Sequence, residues 1–268
     1  MSAQSYRQIF EHRLQTSRDG HWDVQTSLAH FALINYALPK DRLSQHIPTD
    51  HFDIPEFDIG GQRLAMLSVV PFLDLDFHFP HFFPFVKLRF GQTNYRVYVI
   101  DRKTGEHAVW FFGTTLGSHI VRLPRRLWRI PWHYADYNID CRYNSTLRLY
   151  EKFAYNIQSE WAEAEIDLAD TGQPVTNVEG FESSEQMKLI LTHPVDGFFY
   201  RLDGKLGTYS VWHESMQVTA GRPNRLYFGL FDRLGLLSKD EMNAPHSVFI
   251  CPRVDFKVFL PPREIGEQ

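Results

Sequence analysis

The chain has 268 residues, 43% of them hydrophobic and 22% charged, with a formal net charge of −4 and a pI near 6.3. This usage supplies a sizeable core and excludes a general electrostatic pull on nucleic acid or anionic lipid. Two cysteines, Cys141 and Cys251, make no disulfide framework and fit a reducing compartment.

Taken in chain order, the opening residues MSAQSYRQIFEHRLQ lack the apolar stretch of a secretory signal. No apolar run approaches the roughly 20 residues that span a bilayer. A cytoplasmic protein with no membrane partner is therefore expected, and the Asn144-Ser145-Thr146 triplet carries no glycosylation argument. Tyr6, Ile9, Phe10 and Leu14 share one helical face, which predicts a short helix over 5–14. Residues 27–38 read equally as helix or buried strand, and Pro39 stops either. A helical turn over 40–47 follows, then a Gly60-Gly61 turn and an apolar strand over 63–72. Residues 92–100 alternate: Gln92, Asn94, Arg96 and Tyr98 on one face, Tyr95, Val97 and Val99 on the other. Lys103-Thr104-Gly105 turns this strand back into 108–116 as an antiparallel partner.

Strands are expected over 133–143, 146–156 and 159–168, and a loop over 170–180. Ser183-x-x-Gln186 has capping-box form and predicts a helix. Strands at 198–202 and 206–219 surround an Asp203-Gly204 turn. A helix around 224–236 and a last strand from Ser247 to Leu260, stopped by Pro261-Pro262, complete the chain.

The familiar chemical motifs are absent: no Gly-rich phosphate loop, Cys-x-x-Cys, His-Glu-x-x-His or Gly-x-Ser-x-Gly occurs. No cofactor is implied. His78 and His81 flank Phe79-Pro80, which denies them a helical metal-ligand spacing, and no metal is expected. Arg122, Arg125, Arg126 and Arg129 read as a solvated loop beside Pro124 rather than an anion grip. Cys141 lies eight residues from His133, too far along a straight strand at about 3.3 Å per residue for a thiolate and its base. The polar face Gln92–Asn94–Arg96–Tyr98 either meets water or lines a cavity in which Arg96 would receive a carboxylate.

The order Leu38-Pro39, Ile47-Pro48, Val70-Pro71-Phe72, Asn94-Tyr95-Arg96-Val97-Tyr98-Val99 and Trp110-Phe111-Phe112 resembles the YqjF-like family, within the acetoacetate decarboxylase-like superfamily. Phe198-Phe199-Tyr200-Arg201-Leu202, His213 and the segment from His246-Ser247 to Pro262 extend the resemblance. It implies a mostly β fold, an antiparallel, cone-like β-barrel around a central cavity with a few peripheral helices. It further implies that 27–38 is a strand and that the Arg96 face points inward. A single domain is expected, with an N-terminal helical extension over 1–25, the barrel over 26–262 and a tail over 263–268. Decarboxylase members form a Schiff base through a lysine after a Gly-x-Pro turn, beside a second lysine and an acidic residue. Here the counterpart is Ile130-Pro131-Trp132-His133, with neither lysine, and Gln92 stands at the acidic position. Iminium chemistry needs that amine, so it is disfavoured.

The expected cavity is lined by Gln92, Asn94, Arg96, Trp132 and Tyr134 as ligand-binding residues, with His133 as acid or base. Three readings remain: a binder of a small carbonyl-bearing or acidic molecule, a lyase or isomerase with a His base and Arg stabiliser, or a structural or partner-binding β domain. The oligomeric state is open between monomer and homodimer.

Overall fold

The structure, a computed structural model, describes residues 3–15 and 20–265. Helix α1 (Ala3–Gln15) precedes β1 (Val24–Leu38), α2 (Lys40–Ser44), β2 (Phe52–Asp53), β3 (Glu56–Ile59), β4 (Gln62–Phe77), β5 (Leu88–Asp101) and β6 (His107–Leu116). Then come α3 (Arg122–Leu127), β7 (Trp132–Tyr134), β8 (Asp136–Asn144), β9 (Leu149–Gln158), β10 (Ala164–Pro174) and α4 (Ser184–Met187). The chain ends with β11 (Asp196–Tyr200), β12 (Leu206–His213), β13 (Thr219–Phe228), α5 (Gly229–Arg233), α6 (Lys239–Met242) and β14 (Ser247–Glu264).

Seven strands close a ring among the described residues, in the order β1-β4-β5-β6-β11-β12-β14 and back to β1. Every neighbour in it is antiparallel except β6 and β11, which run parallel. Beyond its pairing with β12, β14 also meets β13, and from there a wing β13-β10-β9-β8 leaves the ring. This is a mostly β architecture with few helices.

The wing explains the alternation of β5. Tyr95, Val97 and Val99 are fully buried and belong to a core with Tyr155, Ile166 and Phe228 of the wing. The other face, with Tyr98, joins a second core with Val70, Phe72, Phe111 and Leu28. Both faces are covered, but by different partners, so each parity of the strand carries its own chemistry. Residues 27–38 lie within β1, paired on both sides by β4 and β14. Ala32, Ile34 and Tyr36 enter one core and Leu28, Phe31 and Leu33 the other, so both faces are buried, which accounts for a run with no clean helical or strand period.

Several expectations need correction. The loop expected over 170–180 is still strand to Pro174, because its turn residues form a bulge: Asp170 accepts from Gly172 N (2.9 Å) and Thr171 Oγ1 donates to the Ala220 carbonyl (2.6 Å). The strand expected from 159 begins at Ala164, since Ser159 Oγ turns the chain by accepting from the Trp161 and Ala162 amides. Residues 224–228, expected as helix, extend β13, with Leu226 and Phe228 in the core and Arg225 and Tyr227 alternating outward. The strand expected over 206–219 stops at His213 as β12, and β13 begins only at Thr219. The basic run is helical, as α3, rather than a loop. β14 runs past Pro261-Pro262 to Glu264.

Ser183 caps α4 as expected, accepting from Gln186 N, but the Gln186 side chain accepts from Glu182 N rather than from the cap residue. Residues 1–2 and 16–19 of the expected extension and 266–268 of the expected tail lie outside the described residues.

Candidate functional site

Inside the ring lies a cavity of about 80 Å³. Its wall is mostly apolar, including Val70, Phe72, Phe111 and Trp132, with a few polar groups placed by strand parity. Gln92, Asn94 and Arg96 come from one face of β5, as the alternation predicts.

Arg96 is held on its own wall. Its Nε donates to Ser68 Oγ (3.1 Å), directly across the β4–β5 ladder, and Nη2 donates to the Leu191 carbonyl (3.2 Å). Leu191 offers that carbonyl because Lys188–Thr192 forms a π turn. Tyr98 OH donates toward the same carbonyl and toward Asn35 Oδ1, both at 3.2 Å. Among the described residues Arg96 Nη1 has no hydrogen-bond partner. Asn94 Oδ1 accepts from Thr114 Oγ1 (2.8 Å) and Gln92 Nε2 (3.2 Å), which leaves its amide nitrogen to donate. A cation with a spare planar donor and a neighbouring amide donor is matched to a carboxylate or enolate oxygen.

Asp74, on β4, is the second charged group on the wall and was missed in the sequence reading. It is 2% exposed; Thr26 Oγ1 donates to Oδ1 at 3.0 Å, and Oδ2 is buried without a partner. Burial pushes its carboxyl up to about 7, Thr26 opposes the shift and the nearby Asp76 adds to it. The ladder pairs Asp74 with Phe90 and Ser68 with Arg96, so the Asp74 and Arg96 positions lie six residues apart, on the order of 20 Å along the strands.

His213 lies on β12, stacked on Phe256 of β14 at 4.5 Å and edge-on to His193 at 4.1 Å. Its Nδ1 sits 2.7 Å from the Glu214 carbonyl, which assigns the proton to that nitrogen. Burial lowers its pKa to about 4, hydrogen bonding to the Glu214 backbone opposes this, and the Arg96 charge lowers it further. The ring is neutral near neutral pH. Asp196, bonded by Ser210 Oγ at 2.5 Å, adds a carboxylate to the same lining.

Of the expected site residues, Gln92, Asn94, Arg96 and Trp132 meet at this cavity, while His133 and Tyr134 are not among its lining residues. For His133 the reason is pleating: β7 pairs Trp132 with Thr114 and His133 with Thr115, so successive side chains take opposite faces; Tyr134 shares the parity of Trp132 but stands at the exposed end of β7. His133 stacks flat on Trp161 at 4.0 Å, with Nδ1 3.5 Å from Arg125 Nη1. Burial pulls its pKa down to about 4, and the Arg125 and Arg233 charges add to this. Tyr134 is 40% exposed, donates to Asp136 and stacks on His119. Asp74 escaped notice because the expected strand stopped at Phe72; extending its parity two residues would have turned Asp74 inward.

No lysine lines the cavity among the described residues. Nor do they contain a group of three or more His, Cys, Asp or Glu side chains placed to hold a metal ion, or a helix long and apolar enough to cross a membrane. Burial raises the Cys141 thiol to about 12, far from thiolate character near neutral pH.

The closed ring and the wing define an acetoacetate decarboxylase-like fold. Residues 25–255 match the model of DUF2071, an uncharacterized conserved protein family (COG2071), and the chain belongs to this YqjF-like family. No curated protein matches it. Among solved structures, the enduracididine biosynthesis enzyme MppR complexed with pyruvate is similar at a TM-score of 0.59 and 11% identity, over 93% of each chain. Acetoacetate decarboxylase from Legionella pneumophila aligns at 0.56 and 12% identity, covering 96% of this chain and 95% of that one. An acetoacetate decarboxylase-like enzyme from Sphingomonas wittichii aligns at 0.56 and 10%, covering 93% and 95%. At these identities the likeness is one of fold.

Proposed function

We propose that this protein binds an organic acid in the ring cavity, with the carboxylate on Arg96 and Asn94, and without Schiff-base chemistry. One observation carries the reading: a guanidinium fixed by Ser68 and the Leu191 carbonyl has, among the described residues, no partner for Nη1 and lines a mostly apolar cavity. A charge-bearing donor facing a mostly apolar cavity is matched to an anion through a charge-assisted hydrogen bond. The pyruvate in the MppR complex makes a carboxylate ligand chemically reasonable in this fold, while the lysine-free lining argues against an iminium.

The test is thermal shift and calorimetric titration with short carboxylic and 2-oxo acids. Wild-type protein should be stabilised. Arg96→Met should bind about 10- to 100-fold more weakly, the range of one charge-assisted hydrogen bond. Arg96→Lys should fall between, since it keeps charge but loses the fork. If no acid binds, or if Arg96→Met binds as well as wild type, the reading fails.

A second reading, an isomerase or lyase, is favoured by Asp74, a buried carboxyl poised near neutrality with a free oxygen on the cavity wall. Asp74 takes the acid–base role in this reading, in place of His133. Because Asp74 stands on the order of 20 Å along the strands from Arg96, this reading places the reacting group at the Asp74 end of the cavity, and turnover lost in Asp74→Asn but kept in Arg96→Met would support it.

A further inference from the structure

The cavity does not end at its polar wall. A second hollow of about 240 Å³ lies beside it and shares Phe77, Trp132 and Leu260 with it. Apart from His78, every residue lining this second hollow is apolar or aromatic. Its floor is buried: Leu116 is 0% and Phe90 4% exposed. Its rim is not: Phe83 is 62%, Leu123 57% and Leu127 61% exposed. The rim comes from the β4–β5 connection, residues 78–87, and from α3, whose Leu123 and Leu127 are four apart and so share a face. A buried apolar floor with an exposed apolar rim is a groove, and an apolar surface of this kind signals an occupant.

We infer that the groove takes the apolar tail of the acid whose carboxylate sits at Arg96, so that the ligand is a long-chain monocarboxylic acid rather than one of pyruvate size. The inference rests on the proposed carboxylate site and extends it. Adjacency is its first support: Phe77, Trp132 and Leu260 line both the ring cavity and the groove, so only side chains stand between them. Dimensions are its second. Trp132 lies two strands from Asn94 across the ladder Asn94–Thr114–Trp132, about 10 Å. Leu88, at the far end of the groove, lies six residues along β5 from Asn94, about 20 Å. A short 2-oxo acid bound at Asn94 and Arg96 leaves the groove empty, whereas an extended acyl chain of 10–20 Å reaches it. Polarity is the third: Arg96 and Asn94 at one end and Phe82, Phe83 and Val86 at the other match an amphipathic molecule end for end.

The experiment is a titration of wild-type protein with saturated acids from butanoate to dodecanoate, each below its aggregation limit, beside Leu123→Glu/Leu127→Glu and Arg96→Met proteins. Both rim leucines are exposed, so their replacement leaves the core intact. In wild type, affinity should rise by up to about fourfold per added methylene once the chain passes Trp132, the value of one buried CH₂. The rim variant should bind butanoate as wild type does and lose the rise for dodecanoate. Arg96→Met should weaken all chain lengths by a similar factor. If butanoate binds and affinity is flat with chain length, the inference is overturned while the carboxylate site stands. If no acid binds, both fall. A chain-length rise that survives the rim substitutions overturns it too, as does self-association of wild type that the rim substitutions abolish without any chain-length rise. The first places the tail elsewhere, and the second gives the groove to another copy of the chain.

Discussion

Thr26 Oγ1 donates to Asp74 Oδ1 across the β1–β4 interface at 3.0 Å, and this single bond is the only one the buried carboxyl makes among the described residues. A free Asp releases its proton near 3.9, whereas Asp74 holds it to about 7. Between those values the native state binds more protons than the unfolded chain, so the Asp74 contribution to stability falls as pH rises through the window and levels off above it. The full effect is on the order of 4 kcal/mol. Asp74→Asn keeps an oxygen for Thr26 and carries no charge. Its urea midpoint should therefore exceed that of wild type by more at pH 8 than at pH 5. An equal difference at both pH values would mean that Asp74 titrates as an ordinary carboxylate.

Tyr98 braces the arginine. Its hydroxyl lies 3.2 Å from both Asn35 Oδ1 and the Leu191 carbonyl and 3.5 Å from Arg96 Nη2, and the residue is 1% exposed. Tyr98→Phe removes the donor and leaves buried acceptors short of a partner, at a cost of about 1–3 kcal/mol in chemical denaturation. Loosening Arg96 should also weaken carboxylic acid binding several-fold, with the dissociation rate rising more than the association rate falls. Unchanged affinity would mean that Ser68 and Leu191 hold Arg96 without help.

The inward face of β5 was legible because a strand paired on both sides has only two faces, and period two assigns Gln92, Asn94 and Arg96 to one of them. What covers the other face was not legible, because the wing strands that bury Tyr95 and Val97 come from far along the chain, β8 to β10 and β13, and join the ring at β14. Asp74 was hidden for a similar reason. Nothing local continues β4 past Phe72; its pairing with β1 and β5 does. His133 shows the opposite fault: grouping it with Trp132 in one cavity ignores the pleat that sends neighbours to opposite faces. The bulge at Thr171-Gly172 reads as a loop from its residue types, since turn formers also make bulges.

His133 should be dispensable for ligand binding and relevant to acid stability. Its ring stacks on Trp161 at 4.0 Å, away from the cavity lining. Burial, Arg125 and Arg233 hold it neutral down to about pH 4, below the 6.5 of an unfolded histidine. Its contribution is thus fully present above pH 6.5 and is lost as pH falls from there toward 4. His133→Ala should cost about 0.5–1.5 kcal/mol at pH 7, from the lost stack, and the gap to wild type should narrow by pH 5. Acid titrations should be unaltered. A large loss of ligand affinity in this variant would return His133 to the site.

Gly197 should be the sharpest steric test of the cavity. It lines the wall on β11, paired with Val109 of β6, and a Cβ there would collide with the Phe111 ring. Phe111 cannot yield easily, because it stacks on Tyr209 at 5.7 Å and 17° and lies opposite Arg96 in the β5–β6 register. Gly197→Ala should therefore cost about 1–3 kcal/mol by overpacking, and the displaced ring should enter the cavity and weaken acid binding while far-ultraviolet circular dichroism stays the same. Gly204→Ala serves as the comparison. That glycine has φ +80° in the β11–β12 turn with open space around it, so alanine there strains the backbone by about 1 kcal/mol without touching the cavity. If Gly197→Ala and Gly204→Ala lose the same stability and neither changes acid binding, Phe111 does not form the wall against which the ligand packs.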